Sequence, residues 1–179
     1  MSHGPGMNIA TAVLQYLLAA GFVLVPIIAY RYGNKAQEAA EAEVAKQGFP
    51  PGLLLQHGVK IKESSADTLF PFAIALCFAA LATLNLAGAD IGRLLSWIVQ
   101  PIFLVAGGLT TAGQVFVTRF VESSFKKAND PALRGINVQA FIDAATSVFP
   151  RGFRAIIITR FLLTTIGSAL VIILLYAGR

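Results

Sequence analysis

The chain has 179 residues, 56% of them hydrophobic and 13% charged, with a mean hydropathy of +0.70, which excludes an ordinary soluble globular domain and points to an integral membrane protein. Its formal net charge is +5, yet the basic residues stand beside apolar runs, so topology and anionic lipid headgroups explain them and no nucleic acid is implied. The single cysteine, Cys77, lies inside an apolar run and rules out an intrachain disulfide or a CxxC motif.

Residues 1–6, MSHGPG, are Gly/Pro-rich and expected to be loosely ordered, and the N-terminus lacks the basic region and cleavage site of a signal peptide. The first uncharged run, Asn8 to Tyr30, reads as a membrane span whose Asn8, Ala12, Gln15, Ala19 and Pro26 share one helical face. Arg31 is expected to close it. Lys35 to Gln47 is then a run of high helix propensity whose apolar content is almost all alanine, which predicts a solvated helix rather than a packed one. Gly48, Pro50, Pro51 and Gly52 stop it, and LLLQHGVKIK (53–62) mixes leucines with His57, Lys60 and Lys62 in a manner suited to the headgroup region.

A second span is expected from Asp67 to Ala87, with Ala75, Ala79, Ala82 and Thr83 forming a small-residue face for close helix approach. Residues 88–93 make a tight hairpin to the third span, 94–118, which carries no charge. As a helix that span would be about 37 Å long, more than the hydrocarbon core requires. It is two-sided. Gln100, Gly107, Thr111, Gln114 and Thr118 fall on one face, and Ile98, Ile102, Val105, Leu109 and Phe116 lie broadly opposite. Because lipid offers no hydrogen bonds, the amide face should look at other helices or a cavity and the aliphatic face at lipid. Pro101 within the span removes one backbone hydrogen bond.

The helix is expected to continue through FVESSFKKA until Asn129, Asp130 and Pro131 break it. Asn137 then caps an amphipathic helix carrying Val138, Phe141, Ile142, Ala145, Val148 and Phe149, which would lie in the interface plane or against the partner loop. The fourth span, 155–177, is interrupted only by Arg160, whose face continues through Thr164, Gly167 and Ser168. Arg160 either snorkels to the headgroups or turns inward to hydrogen-bond Gln114 or Thr118 and pair with Asp67 or Glu122.

The fold expected is all-α: a four-transmembrane-helix bundle forming one integral membrane domain, with short cytoplasmic and interfacial helices in loops 31–66 and 119–154. Those loops hold eleven Lys/Arg (five over 31–67 and six over 119–154), against two elsewhere outside the spans, Arg93 and Arg179. The bias predicts cytoplasmic loops and both termini on the other side of a bacterial cytoplasmic membrane, an organelle inner membrane being the alternative.

Chemistry is sparse. His3 and His57 lie outside the spans, which removes a bis-histidine haem site, and no Asp, Glu or Lys lies within a span interior, which removes the usual parts of a proton relay. No phosphate loop, HExxH, GxSxG or selectivity-filter motif is present, so no catalytic residue, metal or cofactor is assigned. What remains is a polar intramembrane set, Gln15, Gln100, Thr111, Gln114, Thr118, Arg160, Thr164 and Ser168, readable as interhelical glue or as a solute path. A basic set, Arg119, Lys126, Lys127, Arg134, Arg151 and Arg154, suits anionic headgroups or phosphate on the cytoplasmic side. The partners implied are membrane lipids and other proteins within the membrane. The first functional expectation is a non-enzymatic subunit or assembly partner of a larger membrane complex. The alternatives are a small oligomeric channel or transporter for a neutral or anionic solute, and a lipid-handling membrane enzyme.

Overall fold

Apolar runs this long have one economical way to satisfy their backbone, which is to close every N–H on a carbonyl four residues back. The computed structural model describes residues 5–61, 65–128 and 130–177, and within them the secondary structure is helical throughout, with no strand. Most of the expectation for residues 1–6, and all of that for Asn129, lies outside the described residues. Four helices are long and apolar enough to cross a membrane: α1 (Pro5–Lys46), α3 (Ser65–Leu86), α4 (Asp90–Val115) and the run Phe153–Ala177. That last run is built from α8 (Phe153–Leu162), a π-helical turn (Leu163–Gly167) and α9 (Ser168–Ala177). Short helices complete the chain: α2 (Leu53–Gln56), α5 (Val117–Lys127), α6 (Pro131–Arg134) and α7 (Val138–Ser147).

The described residues form two compact units. The first takes residues from 1–25, 69–115 and 154–179, and the second from 26–68 and 116–153. In the first unit Leu18, Ala19 and Phe22 of α1 pack against Ala75, Phe78 and Leu81 of α3. The Phe103 ring of α4 meets Phe22 and Phe78 edge-on, with centroids 5.3 and 4.6 Å apart. The small-residue face expected on α3 is used in part: Ala75 and Ala82 are buried and Ala79 is half-buried, whereas Thr83 is exposed. The α3–α4 hairpin is tight enough that a Cβ on Gly92 would stand 2.5 Å from Leu84 Cβ and 2.9 Å from the Leu84 carbonyl carbon, so only glycine fits there.

The second unit has an ordinary apolar core. Ala36, Ala40 and Val44 of α1, Leu53 and Leu54 of α2, Phe125 of α5, Leu133 of α6 and Phe141, Ile142 and Ala145 of α7 are buried together. Three expectations change here. The first span and the alanine-rich helix are one continuous helix through Arg31, because the Ala/Glu/Lys run outweighs Gly33 and Asn34, and charge ends an apolar run without ending the backbone pattern. The alanine-rich stretch is packed rather than solvated, since Ala36, Ala40 and Val44 recur every four residues and make a narrow seam for larger partners. Leu53 and Leu54 serve that core and do not lie along a surface. Of the two placements for the Asn137-capped helix, packing against the other loop is the one observed.

The caps follow the sequence. Asp130 accepts from the Ala132 N–H at 2.8 Å with Pro131 at the first helical position, and Asn137 accepts from the Ala140 N–H at 3.1 Å. The Glu41 carboxylate holds the next turn by accepting from the Gly52 and Leu55 N–H groups at 2.9 and 3.2 Å.

Candidate functional site

The polar interior of the first unit is built on α4. Ser96, Gln100, Gly107 and Thr111 recur at helical spacing and are buried, while Ile98, Ile102, Val105 and Leu109 on the other face are 54–72% exposed. At one end of the stripe a closed triangle joins three helices. Gln15 Nε2 donates to Ser96 Oγ at 3.0 Å, and Asn85 Nδ2 lies 2.8 Å from both Gln15 Oε1 and Ser96 Oγ, with all three side chains buried. Each amide meets an oxygen it would otherwise find in water, so the triangle ties α1, α3 and α4 together.

One turn along from Ser96, Gln100 is fully buried, and neither its amide nitrogen nor its oxygen has a hydrogen-bond partner among the described residues. Ser168 Oγ on α9 is in the same condition. The helices α4 and α9 pack directly against each other, as do α4 and the π turn. Gly107 permits this approach: a Cβ there would sit 3.0 Å from both Thr164 Cγ2 and the Phe103 ring. The π turn coincides with hydroxyls that bond back to their own helix, Thr164 Oγ1 to the Arg160 carbonyl at 2.7 Å and Thr165 Oγ1 to the Phe161 carbonyl at 2.8 Å. Such turns are uncommon and concentrate at functional positions.

Arg160 turns inward and is 4% exposed. It donates to Gln114 Oε1, its guanidinium lies 5.0 Å from the centre of the Phe22 ring, and its aliphatic stem lies along Gly21. Gln114 itself is exposed, so the stripe faces inward only as far as Thr111. Thr118, expected on the same face, belongs to α5 in the second unit because the helix breaks at Phe116. Gln15, Gln100, Thr111, Thr164 and Ser168 are all buried in the first unit, as the polar-face reading expects. Ser96 was not singled out in the sequence, although its place one turn before Gln100 was the available signal.

The basic set is distributed over the surface. Arg119, Lys126, Lys127, Arg134, Arg151 and Arg154 are all exposed, and Arg134 is tied down by donating to the Ala128 carbonyl from Nε and Nη2 at 3.3 and 3.1 Å. Lys126 and Lys127 end α5, where cations complement the helix dipole.

Amides and hydroxyls donate and accept hydrogen bonds and the one guanidinium donates, so this interior suits binding or packing. Among the described residues no group of three or more His, Cys, Asp or Glu side chains comes together to hold a metal ion. No family model, characterised protein or solved structure matches the chain.

Proposed function

We propose that the chain is a non-enzymatic integral membrane protein that serves as a subunit or assembly partner of a larger membrane complex, with both termini on the non-cytoplasmic side of a bacterial cytoplasmic membrane. One observation carries this reading: Gln15, Asn85 and Ser96 satisfy one another inside the first unit, while Ile102, Val105 and Leu109 stay 63–72% exposed. A unit that spends its polar groups as internal glue offers its surroundings apolar area, which in a bilayer is covered by lipid or by a partner's helices. The second unit adds a charged, folded surface on which a cytoplasmic partner would dock. Extraction into mild detergent from the native membrane, followed by mass measurement, should give a heteromeric particle of fixed stoichiometry. A particle of this chain alone would overturn the proposal. The orientation rests on the loop charge bias, and a reporter fused after Arg179 should read as non-cytoplasmic.

A second reading, an oligomeric channel or transporter for a neutral or anionic small solute, is favoured by the unpartnered Gln100 amide and Ser168 hydroxyl in the same unit as the inward Arg160. Solute flux in liposomes containing this chain alone, lost in Gln100→Leu with the fold retained, would move the weight to it.

A further inference from the structure

The second unit holds a groove of about 490 Å³, open on one side, between the loop His57–Ile61 and α5. Its size is that of a small-molecule site. The α5 wall is apolar, with Val117, Val121 and Phe125 spaced every four residues, and Leu133 and Ile142 also line it. Phe120, also lining the groove, is 56% exposed, an aromatic ring left in the open. The loop wall is held in place by one buried side chain of α1: Gln37 Oε1 accepts from the Ile61 N–H at 2.7 Å, and Gln37 Nε2 donates to the Val59 carbonyl at 3.4 Å. Among the described residues, the basic side chains that line the groove, His57 and Lys60, come from this same loop. His57 lies 3.2 Å from Asp130 and Lys60 3.1 Å from Asp67, in pairs 30–49% exposed, so each ion pair is weak and its basic member is open to an incoming anion.

The groove's lining is close in sequence to the apolar helices. Val117 follows the end of α4 by two residues, and the Asp67 that pairs with Lys60 lies in the first turn of α3, so the groove's own residues join directly onto two helices long and apolar enough to cross a bilayer. Lipids are the abundant ligands at that level. We infer that the groove is a binding site for a single-chain amphiphile with an anionic head, a fatty-acid carboxylate or a lysophospholipid phosphate, with its chain along Val117, Val121 and Phe125 and its head at Lys60. None of the six basic residues singled out in the sequence lines this groove. The site does not depend on the subunit reading.

The test uses the full chain in phosphatidylcholine nanodiscs containing a diazirine-bearing palmitate, with irradiation and peptide mapping. Labelling of α5 should saturate, and unlabelled palmitate or oleoyl lysophosphatidate should displace it about tenfold more effectively than mono-oleoylglycerol. Competition by palmitate alone assigns the head to a carboxylate, and competition by lysophosphatidate alone assigns it to a phosphate. Ser124→Trp, at an exposed position lining the groove, should reduce α5 labelling about tenfold while labelling around Ile102 and Leu109 is unchanged. Val121→Phe gives the same reading of occupancy if Ser124→Trp lowers the melting temperature. Lys60→Gln should raise the palmitate concentration needed by about fivefold and erase the preference over the monoglyceride. Labelling that never saturates, or that survives both groove-filling variants at the parent's melting temperature, overturns the site. A preference for anions that survives Lys60→Gln overturns the assignment of the head.

Discussion

Among the described residues, the buried polar side chains of the first unit are Thr11, Gln15, Asn85, Ser96, Gln100, Thr111, Arg160, Thr164 and Ser168, and its outside is leucine, isoleucine and phenylalanine; in the second unit Gln37 is buried among a core that is aliphatic and aromatic. Every acidic residue of the chain except Asp90 falls in the second unit's ranges. On the proposed membrane reading, the difference follows from the solvent that each unit meets. Water penalises an apolar exterior, so the second unit hides Phe141 and Leu54. Hydrocarbon penalises an unmet hydrogen bond, so a unit built for it hides its amides and lets its aliphatic side chains out. One polypeptide carries both solutions, and a substitution of a given chemistry should therefore have opposite effects in the two units.

The largest effect is expected in the aqueous-type core. Phe141→Ala should destabilise the second unit by about 3–5 kcal/mol, with hydrogen exchange accelerating in α2 and α7 and not in α4. Equal acceleration in α4 would mean that the two cores melt as one. A sharper comparison places one substitution on two exposed leucines. Leu109→Lys, at a position 72% exposed, should cost about 2.5–3.5 kcal/mol of membrane integration, whereas Leu55→Lys, at 50% exposed, should change stability by no more than about 0.5 kcal/mol. If both are tolerated, the exterior of the first unit does not face hydrocarbon. Within the polar interior, Gln15→Leu should lower stability in detergent by about 1–2 kcal/mol, because Asn85 and Ser96 lose a partner, while Gln100→Leu should be neutral or stabilising. A Gln100→Leu protein that melts well below the parent would show that the amide has a partner in the folded protein. The smallest effect is at a cap: Asn137→Ala should cost about 1 kcal/mol, read from thermal unfolding of the second unit.

Much of this arrangement was legible in the sequence. Long uncharged runs gave the four apolar helices, and the amide and hydroxyl spacing on α4 gave its inward face, because a bilayer-length helix leaves few other ways to place glutamine. Asp130, Pro131 and Asn137 marked helix starts for local reasons that tertiary structure did not override. The second unit was harder to read. Its α1 seam is Ala36, Ala40 and Val44, too weak in hydrophobicity to signal burial, and its partners lie far along the chain in α5 and α7. Gln114 accepts the hydrogen bond of the inward Arg160 that the sequence suggested, although it stands exposed one residue before the end of α4. The π turn over Leu163–Gly167 had only a faint signal in Thr164 and Thr165, and the groove beside α5 had none, since it depends on how a loop returns to a helix.

The helix α1 contributes Leu18, Ala19 and Phe22 to one core and Ala36, Ala40 and Val44 to the other, and it is synthesised before the partners that cover it. Its partners Phe125 and Phe141 emerge from the ribosome some 80–100 residues later, roughly 5–20 s at ordinary elongation rates. During that interval the seam has no mate beyond Leu53 and Leu54. A stripe of two alanines and a valine exposes far less apolar area than leucines would, so the nascent helix can wait in water with little drive toward wrong partners. The residues that make the seam hard to detect are thus also those that leave the half-made protein the least apolar surface uncovered.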